Sequence, residues 1–167
     1  MKVFTIIITY NALRNNWIEN CLDSLRKSAL QTKICIIDNN SSDKTVDFIK
    51  QHYPYVHLFE EKENLGFGQA NNKGINYALE QGANYFFLLN QDAWVEPNTL
   101  DILCSVSAKN PEFAILSPIH HNGQANALDY NFSNYISPLT CKDLYSDIYF
   151  QNYSKTVYEL PFVNAAA

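Results

Sequence analysis

Four short runs of β-branched and aromatic residues, each released into a cluster of polar side chains, constrain this chain more than any other feature. They cover residues 2–10, 33–38, 56–60 and 85–89. Near-continuous apolar runs of this length suit strands buried on both faces. Amphipathic stretches separate them. Ile18, Cys21, Leu22, Leu25 and Ala29 recur at helical spacing, behind a cap at Asn15 or Asn16. Ser42 and Asp43 open a second helix with Val46, Ile49 and Tyr53 inward, and Pro54 stops it. A third helix over 69–81 ends at Gly82, and its Ala70, Gly74 and Ala78 form a small-residue face suited to close packing. Pro97 marks the first turn of a fourth helix running to about residue 109, and 114–119 reads as a fifth strand. The alternation predicts an α/β fold: a mainly parallel sheet joined by right-handed crossovers, with helices on both faces. After His120 the pattern weakens, although 158–163 reads as another strand. The expected division is an α/β domain over 1–119 and a second region over 120–167.

Composition removes several classes. A chain of 167 residues with 47% apolar and 17% charged residues is not disordered. A net charge of -5 argues against a nucleic-acid partner, which requires a basic face. No apolar run approaches the ~20 residues of a bilayer span, so no transmembrane segment is expected. The apolar start is too short for a signal peptide, because Thr9, Tyr10, Asn11 and Arg14 follow at once. Cys21, Cys35, Cys104 and Cys141 form no CxxC pair and read as free thiols in a reducing cytoplasm.

Ligands of parallel sheets bind beyond the carboxyl ends of the strands. Those ends carry Thr9-Tyr10-Asn11, Asp38-Asn39-Asn40-Ser41-Ser42-Asp43, Glu63-Asn64-Leu65-Gly66 and Asn90-Gln91-Asp92. Asp38 is placed to accept from a ribose hydroxyl or a base N–H. Asp92, after the most apolar run, is either a turn aspartate or a hard oxygen ligand that could hold Mg2+ or Mn2+ on a diphosphate, where Asn90 and Gln91 can add carbonyl oxygens or water contacts. The stretch Gly66-Phe67-Gly68-Gln69-Ala70-Asn71 fails the dinucleotide fingerprint: Asn71 replaces the third glycine, and the motif follows the third run rather than the first. Nucleophile-elbow, HExxH and Walker motifs are absent. His120 and His121 point oppositely in an extended chain and read as loop residues.

Taken in order, Ile6-Ile7-Ile8-Thr9-Tyr10-Asn11, Ile37-Asp38-Asn39-Asn40-Ser41-Ser42-Asp43, Glu63 to Gly74 and Leu88-Leu89-Asn90-Gln91-Asp92 resemble the family 2 inverting glycosyltransferases of the GT-A fold, closest to their bacterial rhamnosyltransferase-like branch. The match covers residues 2 to about 97 and returns at 161–167. The resemblance implies that Thr9, Tyr10 and Asn11 line a nucleotide pocket. It implies that Asp38 and Asn40 lie at the base or ribose, and that Asn64, Gly66, Asn71 and Asn72 close over the nucleotide. Asn90, Gln91 and Asp92 would meet the diphosphate, with Asp92 as the metal ligand. Asn90 stands where the family's DxD motif has its first carboxylate, which implies weaker metal binding.

The implied reaction moves a sugar from a UDP or dTDP donor to a glycan or lipid-linked acceptor with inversion, assisted by Mg2+ or Mn2+, in bacterial polysaccharide biosynthesis. The implied location is cytoplasmic, at most peripheral at the inner face of the membrane. Inversion needs a base on the acceptor hydroxyl. In the family it lies beyond the position of residue 167, so the chain is expected to be incomplete at its C-terminus; Glu159 and Asp147 are bases by chemistry alone. An apolar surface left bare would favour a homodimer. The alternative is a nucleotide-sugar-binding fragment or degenerate relative without activity. A nucleotidyltransferase is disfavoured because Asn11-Ala12-Leu13, not a Gly- and basic-rich loop, follows the first run.

Overall fold

The computed structural model describes residues 1–136, 139–153, 155 and 157–160. It divides into two compact units, Met1–Asn98 and Thr99–Ala167. In the first unit the four apolar runs become β1 (Val3–Thr9), β2 (Lys33–Asp38), β3 (His57–Glu60) and β4 (Tyr85–Asn90), and the amphipathic stretches become α1 (Trp17–Arg26), α2 (Thr45–His52) and α3 (Phe67–Glu80). The sheet order is β3-β2-β1-β4, with every pair parallel. The chain steps outward from β1 to β2 to β3, then returns to the opposite side of β1 for β4. Right-handed crossovers with that reversal put α1 and α2 on one face and α3 on the other.

Packing follows from the alternation of side chains along each strand. Phe4, Ile6, Cys35 and Ile37 form one core with Ala70 and Ala78 of α3. Gly74 lets that helix approach: a Cβ there would stand 2.6 Å from Ile6 Cγ2 and 2.8 Å from Ile37 Cδ1. The opposite face presents Thr5, Ile7 and Ile36, while Ile18, Cys21 and Leu22 of α1 and Ile49 of α2 are wholly buried. Each such aliphatic side chain contributes about 1.5–3 kcal/mol through removal from water. The run richest in apolar residues forms an edge strand, and its Phe86 and Leu88 are partly exposed.

Several local expectations change. Asn16, at the N-terminus of α1, is left-handed (φ 56°) and makes no side-chain cap. Helix α3 starts two residues before the expected 69, because Gly66 takes the left-handed turn (φ 76°) and Phe67 is already helical. Pro97 is not a helical residue, since α4 (Thr99–Lys109) begins later. Its carbonyl instead accepts from Ala29 N (2.7 Å) and Ser28 Oγ (3.3 Å), closing the α1–β2 connection.

In the second unit α4 is followed by α5 (Tyr130–Tyr135) and α6 (Lys142–Phe150), neither legible in the weak pattern after His120. The strand expected over 114–119 does not form: Ile115 is 71% exposed. Pro118 has no N–H for a ladder. After β4 the described residues contain a single antiparallel bridge, His121 with Leu128. The strand expected over 158–163 is absent from 158–160, and its remainder lies outside the described residues. Phe132, Ile136 and Leu144 make a small core, with the His120 ring stacked on Phe132 at 4.9 Å. Asp129 caps α5 by accepting from Phe132 N (3.0 Å). Tyr158 donates its hydroxyl to Asp147 Oδ2 (2.6 Å), so one of the two carboxylates chemically able to act as a base is engaged within this unit. All four cysteines are free. Burial pushes the Cys35 thiol up to about 12 and the Cys21 thiol higher still, which makes both inert packing residues.

The contrast between two glycines of α3 checks this packing. Gly74→Ala should lower unfolding free energy by about 1–3 kcal/mol, the usual range for overpacking. Gly68→Ala meets open space and should be neutral or stabilising by up to about 1 kcal/mol. Urea titrations of the two variants make the comparison.

Candidate functional site

Strand order reverses at β1, and the crevice beyond the carboxyl ends at such a reversal is where α/β sheets bind ligands. The register aligns these ends: Thr9 pairs with Asp38, Asp38 with Glu60, and Ile8 with Asn90. Side-chain hydrogen bonds then tie one segment to the next.

Asp38 is 2% exposed. A carboxylate so far from water is tolerated only when its oxygens are satisfied. Thr9 Oγ1 donates to Oδ1 (2.9 Å), Ser41 Oγ to the same oxygen (2.6 Å), and Ser41 N to Oδ2 (2.9 Å). Three of its roughly four acceptor positions are therefore filled by the protein. Asn11 is left-handed (φ 50°), a conformation asparagine adopts more readily than most residues. Its N–H donates to Ser41 Oγ (2.9 Å), and its Oδ1 accepts from Ser42 N (2.9 Å), Ser42 Oγ (3.2 Å) and Asp43 N (3.3 Å). Asn40, also left-handed (φ 65°), is exposed.

Asn39 is buried and reaches the third segment. Its Nδ2 donates to Asn64 Oδ1 (2.8 Å) and its Oδ1 accepts from Leu65 N (2.8 Å). Asn64 Oδ1 also accepts from Gly66 N (2.8 Å), holding the turn into α3. Asn71 is buried and spends its amide on Phe67 O (2.9 Å) inside the helix. Asn72 lines an open groove of about 660 Å³ with His57, Phe59, Lys73 and Tyr77.

The fourth segment joins the first through Gln91, whose Oε1 accepts from Tyr10 N (2.8 Å) and whose Nε2 donates to Tyr10 O (3.2 Å). Asn90 O accepts from Ala93 N (3.1 Å) and from the Cys21 thiol (3.5 Å). The Tyr10 ring and Asp92 are exposed. Asp92 is near enough that its charge adds to burial in raising the Cys21 thiol.

The structure thus links Thr9, Tyr10, Asn11, Asp38, Asn64 and Gln91 into one network. It leaves Asn40, Gly66 and Asp92 exposed at its segment ends, engages the Asn71 amide with Phe67 O within α3, and sets Asn72 along the groove that His57 and Phe59 line. Two organising side chains, Asn39 and Ser41, were not singled out in the sequence. They stand in the same polar run as Asp38, and no local pattern tells which members of such a run point inward. None of the twelve expected site residues is cationic. Among the described residues no group of three His, Cys, Asp or Glu side chains could hold a metal by itself. The exposed Asp92 carboxylate does fit the usual Mg2+ mode, in which one or two carboxylates and the substrate's phosphates share the ion.

The sequence profile of Glycosyl transferase family 2 matches residues 5–161. The chain belongs to glycosyl transferase family 2. Among relatives in that company is the chondroitin synthase of Pasteurella multocida (strain Pm70), 26% identical over 128 residues, with 72% of this chain and 13% of that protein covered. The dTDP-rhamnosyl transferase RfbF of Shigella flexneri is 27% identical over 118 residues, covering 68% of this chain and 37% of its own length. The crystal structure of S. aureus TarS 1-349 superimposes with a TM-score of 0.58 at 20% identity, over 66% of this chain and 33% of that one. This likeness gives the family 2 chain the GT-A fold. The chain therefore spans between 13% and 37% of the length of each of these proteins. Among its described residues no helix is long and apolar enough to cross a membrane.

Removing the buried acceptor tests the network. Asp38→Ala leaves the Thr9 hydroxyl and the Ser41 N–H without a partner and should cost about 2–4 kcal/mol. Asp38→Asn, which keeps one accepting oxygen, should cost less. Chemical denaturation of the three proteins measures the order.

Proposed function

We propose that this chain carries the donor-binding part of a glycosyltransferase that takes a sugar from a UDP or dTDP donor and passes it, with inversion and divalent-metal assistance, to a glycan or lipid-linked acceptor. Residues 1–119 form the nucleotide-sugar domain in this reading, and 120–167 begin the acceptor side. One observation carries it: in a family 2 chain, direct hydrogen bonds fasten four strand ends into one polar edge at the point of strand reversal.

The roles divide by exposure. The exposed ring of Tyr10 offers a stacking surface to the base. Asn40 and Asn64 supply amides at the nucleoside, and Asp38 keeps at most one acceptor position for it. Asp92 meets the diphosphate end. Both Asp92 and a diphosphate are anionic, and the expected site residues bring no cation, so Mg2+ or Mn2+ held by Asp92 would offset their repulsion. Bound there, with Asp92 as its protein ligand, the ion would supply charge neutralisation at the departing diphosphate. The relatives' names are consistent with such donors: RfbF is a dTDP-rhamnosyl transferase, and TarS has been solved with UDP and with UDP-GlcNAc.

A thermal-shift panel of UDP, dTDP and GDP with and without Mn2+ tests this reading. At about a hundredfold excess over Kd, binding adds ~2.7 kcal/mol, so UDP or dTDP with Mn2+ should raise the melting point by several degrees. Asp92→Ala should remove the metal-dependent part of the shift and leave the unliganded melting point near its original value, because the side chain is exposed. A melting point unmoved by any of the nucleotides would overturn the assignment; binding without sugar transfer would favour a catalytically incomplete protein.

A further inference from the structure

Backbone pairing between β1 and β4 ends at Ile8 with Asn90. Tyr10 lies beyond β1 and is 49% exposed, yet its peptide groups do not hang free. Gln91 Oε1 takes the Tyr10 N–H and Gln91 Nε2 gives to the Tyr10 carbonyl. A single side-chain amide thereby makes the two bonds that a neighbouring strand would have made. On the other side of Gln91, Ala93 N and the Cys21 thiol both donate to Asn90 O, so the backbone that carries the clasp is itself held.

From this geometry we infer that Gln91 is a positioning residue for the donor site: it acts through Tyr10, fixing the segment that bears the exposed ring to the turn that bears Asp92, and it does not itself contact the donor. The inference rests on the reading of the edge as a nucleotide site, and it changes the expected role of Gln91 from ligand to clasp. The chemistry is selective. The clasp needs one acceptor and one donor at equal reach. Glutamate offers two acceptors and would set a negative charge against the Tyr10 carbonyl, asparagine is one methylene short, and alanine has neither group. The clasp takes one of the two acceptor positions and one of the two N–H groups of the Gln91 amide, and it ties the backbone that bears the ring to the turn that bears Asp92 before any ligand arrives. Such preorganisation lowers the ordering cost of binding.

Two measurements test it. In ligand-free protein, amide exchange at Tyr10 should accelerate by about tenfold or more in both Gln91→Ala and Gln91→Glu, the scale of one lost hydrogen bond, while the amides of Ile7 and Ile36 exchange as in the parent. Unchanged Tyr10 exchange would overturn the clasp, and it does so whether or not any nucleotide binds. Calorimetry with UDP or dTDP plus Mn2+ supplies the second measurement, as a double-mutant cycle of Gln91→Ala with Tyr10→Ala. If Gln91 works through Tyr10, its substitution weakens binding about tenfold in the parent and has little effect once the ring is gone. Additive losses would show direct contact with the donor and defeat the inference. Gln91→Glu binding as tightly as the parent would defeat it as well, since side-chain volume alone would then suffice. Failure of the parent protein to bind either nucleotide would overturn the functional reading, leaving the exchange experiment to decide the clasp by itself.

Discussion

The Asp38 carboxylate, buried at the end of β2 and satisfied by Thr9 and Ser41, is the interaction on which the polar edge depends. It draws together the end of one strand, the end of its neighbour and the first turn after it. A buried carboxylate is stable only with such partners, and removing any of them leaves a charge or a donor unpaired. The same requirement that stabilises the carboxylate therefore fixes the backbone around it. From that anchor Asn39 reaches to Asn64 and Leu65, and Asn11 caps Ser42 and Asp43, so order spreads outward through single hydrogen bonds.

Topology decides where this anchor lies in the fold. Because the chain returns across β1 to lay down β4, the α1 and α3 crossovers leave on opposite faces, the arrangement in which α/β sheets bind ligands beyond their strand ends. Close packing on both faces holds the sheet beneath these strand ends. Gly74 brings α3 onto Ile6 and Ile37, and α1 seals the other face with Ile18, Cys21 and Leu22. The exposed groups at the rim, the Tyr10 ring and Asp92 among them, project from backbone held on several sides.

Much of the framework is legible in the residues alone. β2 runs over 33–38 as its apolar run predicted, and the other strands lie within a residue or two of theirs, because β-branched runs between polar clusters have few other solutions. The strand-end clusters were legible for the same reason, and with them the family. The second unit was less readable. Its apolar residues over 114–119 have strand composition, but a strand needs a neighbour, and Pro118 and an unpaired backbone left that segment irregular. Pro97 has the composition of a helix start, yet its carbonyl serves Ala29 and Ser28 instead.

The sequence by itself determined which segments are strands and helices, where the polar clusters stand, and which face of α3 is small enough to lie against a sheet. These are local properties, set by side-chain branching, period and volume. Only the tertiary structure decided that β4 lies beside β1, that Asp38 turns inward while Asn40 and Asp92 turn out, that Asn39 and Ser41 hold the edge, and that Gln91 grips the backbone of a residue 81 positions away. Those outcomes depend on pairings between distant residues, and a hydrogen bond across such a span exists only once the strands have chosen their neighbours.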